Sequence, residues 1–175
     1  GLGDVYKRQT LSDATGGTSS GTATPVSDLT GLTAAATNGG NVQLSGDITL
    51  TGTLSINNKE LSIDLNGHTI TAANNQRAFN INGGTLEIKD SVGKGIIQGN
   101  GTVTGRGGAI YMEGSGSALT ISGGTIQGFT VSAHGGGVYM SGGTFTMTGG
   151  KIYNCSSSGT NLSGGGVYMA EGTFD

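Results

Sequence analysis

The sequence predicts an all-β fold, a right-handed parallel β-helix of about five coils with a short N-terminal capping helix. A phrase of six residues recurs at intervals of 28 and 29 residues, and a period of about 20–50 residues is typical of a solenoid. Apolar and polar residues alternate within the short segments between turns, which indicates strands. Glycine accounts for 37 of the 175 residues, roughly three times its usual share of about 7%.

The repeat is clearest in the second half of the chain. Gly-Gly-Ala-Ile-Tyr-Met at 107–112 returns as Gly-Gly-Gly-Val-Tyr-Met at 135–140 and again at 164–169. A second phrase, Leu-Thr-Ile-Ser-Gly-Gly-Thr-Ile at 119–126, corresponds to Phe-Thr-Met-Thr-Gly-Gly-Lys-Ile at 145–152. Each repeat therefore contains at least two strand segments separated by glycine turns.

The period favours parallel coils over a sandwich or barrel of hairpins. Antiparallel neighbours would place successive copies in opposite directions, so like residues would not stack. Three short strands and three turns fit one period, and coils stack at about 4.8 Å. The residues from Gly40 onward then give about five coils and a rod of roughly 24 Å. The expected inward columns are Ile110, Val138 and Val167, and Met112, Met140 and Met169.

Three segments precede the coils. Residues 1–9 (GLGDVYKRQ) resemble one translated reading frame of a sequencing-library adaptor, and we expect them to lie outside the packed body. Residues 10–25 are rich in Thr, Ser and Gly and are predicted to form a linker. Residues 26–39 are predicted to form the capping helix, which begins at Ser27 or Asp28 and covers the open end of the first coil.

The β-helix is expected over residues 40–175 and is predicted to be truncated at its C-terminal end, because the chain stops inside a repeat. Residues 114–117 and 156–163 vary the repeat length and are predicted to be loops at one corner. The chain has no initiator Met. We therefore expect a signal peptide to have been lost with missing N-terminal material.

Composition excludes several classes. Collagen is excluded because Gly does not occur at every third position and there is one Pro. Without residues 1–9, six of the eight Lys and Arg and ten of the eleven Asp and Glu remain, so a nucleic-acid partner is not expected. No apolar run is long enough for a membrane span. Cys155 is the single cysteine and is predicted to be a small buried apolar residue.

Ile-Asp-Leu-Asn-Gly-His-Thr-Ile at 63–70, followed by the Gly-Gly-Val-Tyr-Met and Gly-Gly-Thr-Phe-Thr-Met repeats, resembles a known group. These are the pectate-lyase-like right-handed β-helix repeat domains of bacterial adhesin-like surface proteins. The resemblance covers about residues 26–175 and implies a secreted or cell-surface bacterial protein. A fold shared by lyases, adhesins and tailspikes does not fix an activity.

Catalytic members of the group use an Asp-rich calcium site with a basic residue, or close Asp pairs. This chain has no Asp-Asp or Asp-x-Asp. Asp64, Glu87 and Glu113 lie on successive predicted coils, so a carboxylate ladder remains an alternative to solvated surface charges. His68 is predicted to decorate a turn, with Asp64 as the residue that would orient it, and His134 to occupy a loop.

These observations predict a non-catalytic extracellular β-helix, a stalk or adhesive module of a bacterial cell-surface protein. The alternative is a fragment of a polysaccharide lyase or hydrolase whose catalytic coils are missing. No catalytic, metal or cofactor residue is predicted, and no cofactor. The one candidate binding feature is an outward row of Tyr111, Tyr139 and Tyr168, which either stacks as a structural ladder or offers an aromatic strip to glycans or to host or envelope surfaces.

Overall fold

A computed structural model of the chain describes residues 21–159 and 164–175. Residues 1–9, expected to be an adaptor remnant, and most of the predicted linker lie outside the described residues. The described chain winds into a parallel β-solenoid of about five turns with one short helix near its N-terminal end. The predicted architecture is confirmed, since Tyr111, Tyr139 and Tyr168 are direct register partners on parallel strands.

The solenoid wall consists of short strands arranged in three parallel sheets. In chain order the elements are β1 (Thr24–Val26), α1 (Leu29–Asn38), β2 (Gly40–Leu44), β3 (Ile48–Thr49), β4 (Leu54–Asn57), β5 (Glu60–Asp64), β6 (Thr69–Thr71), β7 (Phe79–Asn82), β8 (Thr85–Lys89), β9 (Ile96–Gln98), β10 (Thr102–Val103), β11 (Ile110–Glu113), β12 (Ala118–Ile121), β13 (Thr125–Gln127), β14 (Thr130–Val131), β15 (Val138–Met147), β16 (Lys151–Tyr153), β17 (Ser156–Ser157) and β18 (Val167–Phe174).

The largest sheet turns a corner, because β15 pairs with β11 through its first half and with β12 through its second. One arm runs β1-β2-β5-β8-β12-β15 and the other β15-β11-β7-β4, with β18 on β15. The second sheet is β3-β6-β9-β13-β16 and the third is β10-β14-β17. Residues 156–163 were expected to be a loop, which is wrong for Ser156 and Ser157, because they pair with Thr130 and Val131.

The core fills the interior with stacked columns of like residues. Ile110 pairs with Val138 and Val138 with Val167, as the sequence predicts. Val138 is 0% exposed, whereas Met169 in the last turn is 47% exposed. Burial at each position thus requires a coil on both sides, which makes the coils interdependent.

Helix α1 lies within the predicted segment 26–39, and one of the two predicted starting residues, Asp28, caps it. Val26 is not helical, because it pairs with Leu44 as part of β1 and is buried there. Asp28 is the N-cap, and its Oδ1 accepts a hydrogen bond of 2.8 Å from the Gly31 amide. The helix contacts β4, which ends one arm of the large sheet. It therefore lies over a strand edge at the first coil, as expected for a cap.

Turns with a left-handed backbone conformation account for many of the glycine residues. The Asn66-Gly67 turn has φ of 48° and 80°, a combination that favours Asn and Gly. Gly135, the first residue of the phrase at 135–140, has φ of 73°, and a Cβ there would lie 2.5 Å from the Val138 carbonyl oxygen. Glycine at this position meets both a conformational and a steric demand.

Candidate functional site

The three tyrosines form a column on the outside of the wall. Their ring centres are 5.3 Å apart between Tyr111 and Tyr139 and 5.5 Å apart between Tyr139 and Tyr168. The ring planes lie within 7° and 6° of parallel. The residues that flank Tyr139 along the strand, Val138 and Met140, belong to the core, so the rings project from the opposite face. We call these three residues the tyrosine column.

A basic side chain from the preceding coil contacts each ring of this column. The guanidinium carbon of Arg77 lies 4.9 Å from the centre of the first ring, and that of Arg106 lies 5.2 Å from the second. The imidazole of His134 stacks on the third, with 4.5 Å between ring centres. Each basic residue precedes its tyrosine by 34, 33 or 34 residues. We call Arg77, Arg106 and His134 the basic column.

The middle ring of the outward row is buried by its neighbours. Tyr139 is 3% exposed, whereas Tyr111 and Tyr168 are half-buried. A ring between two stacked rings loses both faces to its neighbours, and the Arg106 guanidinium lies within contact of it. The arrangement fits the structural ladder, and only the two end rings and the ring edges remain for a ligand.

Replacing Tyr139 with Ser should lower the free energy of unfolding by about 3 kcal/mol, because a buried ring and two stacking contacts are lost. Tyr153→Ser is the matched control, since Tyr153 is 65% exposed and its loss should cost under about 0.5 kcal/mol. Urea denaturation followed by circular dichroism measures both. Equal effects of the two substitutions would contradict the ladder.

Asp64 is the most highly coordinated carboxylate of the described chain. Its Oδ1 accepts hydrogen bonds of 2.9 Å from the backbone amides of Asn66 and Ser91. Its Oδ2 accepts one of 3.0 Å from the Gln43 side chain. Burial alone would raise the pKa of Asp64, but these hydrogen bonds outweigh it and hold the pKa below its ordinary value. The carboxylate thus joins three successive coils.

Two other aspartates have the same role. Asp90 accepts hydrogen bonds from the amides of Gly67 at 2.8 Å and Gly95 at 2.6 Å. Asp47 accepts one of 2.8 Å from the Thr69 amide. Carboxylates that satisfy backbone amides in turns are structural acceptors.

The hydrogen bonds of Asp64 predict an acid-sensitive fold. A carboxyl whose pKa is lower in the folded than in the unfolded protein stabilises the fold above the unfolded value of about 3.9, and that stabilisation disappears as the pH falls through the folded pKa. Asp64→Asn should therefore cost on the order of 1–3 kcal/mol at pH 7 and markedly less at the most acidic pH at which the parent still folds. Urea titrations at both pH values test this. Glu60→Gln, which changes an exposed carboxylate of the same strand, is the control.

The carboxylate ladder is not formed. Asp64 is the register partner of Lys89, two residues beyond Glu87 on β8. Glu113 lies on β11 and pairs with Asn82, on the other arm of the sheet. Glu87 instead accepts a hydrogen bond of 2.6 Å from the Ser62 hydroxyl and lies 3.7 Å from the Lys89 ammonium. The three carboxylates are thus engaged separately.

His68 lies beside a different carboxylate from the one expected. Its Nδ1 is 3.4 Å from the Asp47 carboxylate, while both oxygens of Asp64 have other partners. Asp64 therefore does not orient His68, and the pair lies at a partly exposed turn. His134, expected in a loop, lies between β14 and β15 and contacts the tyrosine column.

Cys155 is half-buried and packs against the core, in keeping with the predicted apolar role. Burial raises the pKa of its thiol, although hydrogen bonds from backbone amides oppose the shift. Within residues 21–159 and 164–175, no group of three His, Cys, Asp or Glu side chains is arranged to hold a metal. No helix in the same residues is long and apolar enough to cross a membrane.

A cleft of about 280 Å³ lies between α1 and β4. It has no charged side chain in its lining, so it offers hydrogen bonds to neutral groups only. Its lining residues are Thr33, Ala36, Thr37, Thr53, Leu54, Ser55 and Asn57.

Sequence reasoning missed the basic column, although part of its signal was present. Arg106 and His134 each stand five residues before the tyrosine of their own phrase. Arg77 does not follow this spacing, because it lies three residues before Asn80, the register partner of Tyr111. Only coil stacking brings each basic residue onto the ring of the next repeat.

Comparisons with protein-family models, with curated proteins and with solved structures found no match to this chain. The fold and the two columns therefore rest on the geometry of the chain itself.

Proposed function

We propose that this chain is a non-catalytic extracellular module, a stalk or adhesive segment of a bacterial cell-surface protein. The observation that carries the proposal is the repetition of the outer surface. Coil stacking places like residues at like positions along a rod, as in the tyrosine column. Such an array suits repeated contact with a polymer or a surface.

The engagement of the carboxylates supports the non-catalytic part of the proposal. General acid–base chemistry on a glycan requires two carboxyl groups within about 5–10 Å that are available to substrate. Asp64 and Asp90 instead accept hydrogen bonds from backbone amides, and Glu87 accepts one from Ser62. The sparsely charged, Thr- and Gly-rich sequence suits a rod that spaces other segments from a cell.

The test combines binding and cleavage on one glycan panel. Purified protein is applied to immobilised neutral, uronate-containing and ester-modified polysaccharides, and the soluble products are assayed for new reducing ends and unsaturated sugars. We expect retention on at least one glycan class without cleavage. Cleavage that Glu87→Gln abolishes would establish the lyase or hydrolase alternative, and absence of retention on every glycan would contradict the adhesive role.

A further inference from the structure

The basic column is unusual in this chain because it places basic side chains on successive coils. Charged residues are only 11% of the sequence. On the other arm of the sheet, Asp64 is the register partner of Lys89, so residues of opposite charge are neighbours there. Arg77 and Arg106, by contrast, each contact a ring of the tyrosine column, and these two rings are adjacent, with centres 5.3 Å apart.

Within residues 21–159 and 164–175, no carboxylate forms an ion pair with either guanidinium. The ion pairs found in the described residues involve His68 with Asp47 and Lys89 with Glu87. Glu113 acts on Arg77 through longer-range electrostatics only. Burial lowers the pKa of Arg77, which shows that its guanidinium has lost part of its water. Repulsion between two such cations decreases when an anion binds between them.

Contact with a tyrosine ring leaves the N–H donors of a guanidinium available, because the attraction between the cation and the ring does not occupy them with an acceptor atom. The contact also restricts the guanidinium, which reduces the entropy lost on binding. Arg77 is half-buried and Arg106 is exposed, so the donors lie at the surface.

The spacing favours an oxyanion with three free oxygens. One guanidinium fork engages both oxygens of a carboxylate in a bidentate pair and leaves one lone pair on each oxygen for a second donor. A sulfate or phosphate ester has three terminal oxygens and accepts from two guanidinium groups on adjacent coils at once. The His134 ring continues the basic column by one coil.

We propose that Arg77 and Arg106, held on the tyrosine column, form a binding site for sulfate or phosphate ester groups of a glycan chain. The site deepens the proposed adhesive function and rests on it, because it names the ligand class that this face recognises. Half-buried Tyr111, whose ring contacts Arg77 and stacks on the ring that Arg106 contacts, is available to the sugar that carries the ester.

Four probes separate the chemistries in titration calorimetry with the intact protein at low salt. Dextran sulfate carries sulfate esters, phosphorylated mannan carries phosphate esters, polygalacturonate carries carboxylates only, and dextran is neutral. We expect binding to one or both ester polymers at least tenfold tighter than to polygalacturonate, weakened by added salt. Preference between the first two probes identifies the ester. Equal binding to polygalacturonate, or no binding to either ester polymer, would overturn the inference.

The double variant Arg77→Gln and Arg106→Gln should weaken ester binding at least tenfold. Lys94→Gln and Lys151→Gln is the matched control, since it removes the same charge from exposed positions outside the two columns. An equal loss in the control would show general attraction rather than a site. Circular dichroism verifies folding. If the Gln variant is unfolded, the double variant Arg77→Lys and Arg106→Lys, which retains the charge, is tested in its place. The Lys variant should still bind several-fold more weakly than the parent, because an ammonium lacks the planar fork.

The outcome is distinguishable from that of the proposed function. Retention on a neutral or uronate glycan, with no effect of the Arg substitutions, would refute the ester site while leaving the adhesive module intact. Cleavage of any probe would refute the non-catalytic function irrespective of the Arg variants.

Discussion

Replacing Val138 with Asp is expected to abolish cooperative folding or to lower the melting temperature by on the order of 10 °C or more. Val138 is 0% exposed and lies between Ile110 and Val167 in an inward column. Within the described residues this interior column belongs to an apolar core, so a carboxylate there would be unpaired. Burial of an unpaired charge costs several kcal/mol, a large part of the stability of an ordinary domain.

The control is Thr144→Asp in the same strand. Thr144 is exposed and pairs with Ala118 and Thr173, which are uncharged. Its replacement should change the free energy of unfolding by no more than about 0.5 kcal/mol. Thermal melts of the parent, Val138→Asp and Thr144→Asp proteins test this prediction. A Val138→Asp protein that melts within 2 °C of the parent, by the same scale of about 2–4 °C per kcal/mol, would show that the inward assignment is wrong.

The inward columns were predictable from sequence because they depend on local alternation and on one period. Residues two apart face the same side, so Val138 and Met140 are assigned together, and the interval of 28 or 29 residues aligns them with their neighbours. No knowledge of the turns is needed for either step. Local reasoning also limited the N-cap to Ser27 or Asp28, of which Asp28 is the N-cap, since the capping side chain lies next to the helix it caps.

The partners of the carboxylates could not be predicted from sequence because they depend on register in the less regular coils. Asp64 and Glu87 are 23 residues apart, close to one period, yet Asp64 is aligned with Lys89. A shift of two residues retains the side of the sheet and changes every partner, so a ladder of like charges becomes a pair of opposite ones. The burial of Tyr139 could not be predicted for another reason. Alternation gives the direction in which a side chain points, whereas its neighbours determine how much of it is exposed.

Gly136→Ala is expected to separate the fourth coil from the fifth. A Cβ at Gly136 would lie 2.3 Å from the Gly165 carbonyl oxygen and 2.6 Å from the Ser156 amide nitrogen. Both contacts are with backbone, which cannot rotate away as a side chain can. The hydrogen bond of 3.0 Å from the Gly136 amide to the Gly164 carbonyl also holds the coils at this separation.

The expected cost is about 3 kcal/mol, at the upper end of the range for overpacking, because the chain must move as a unit. Gly116→Ala is the matched control, since nothing lies within 4 Å of a Cβ there and its φ is not in the left-handed region. The control should be neutral or more stable by up to about 1 kcal/mol, because Ala restricts the unfolded chain. The two substitutions thus add the same methyl group with different expected effects on stability.

Urea unfolding gives the free energies, and hydrogen exchange should show faster exchange of the β18 amides in Gly136→Ala alone. If both variants match the parent in stability, the close stacking of coils at this glycine is refuted.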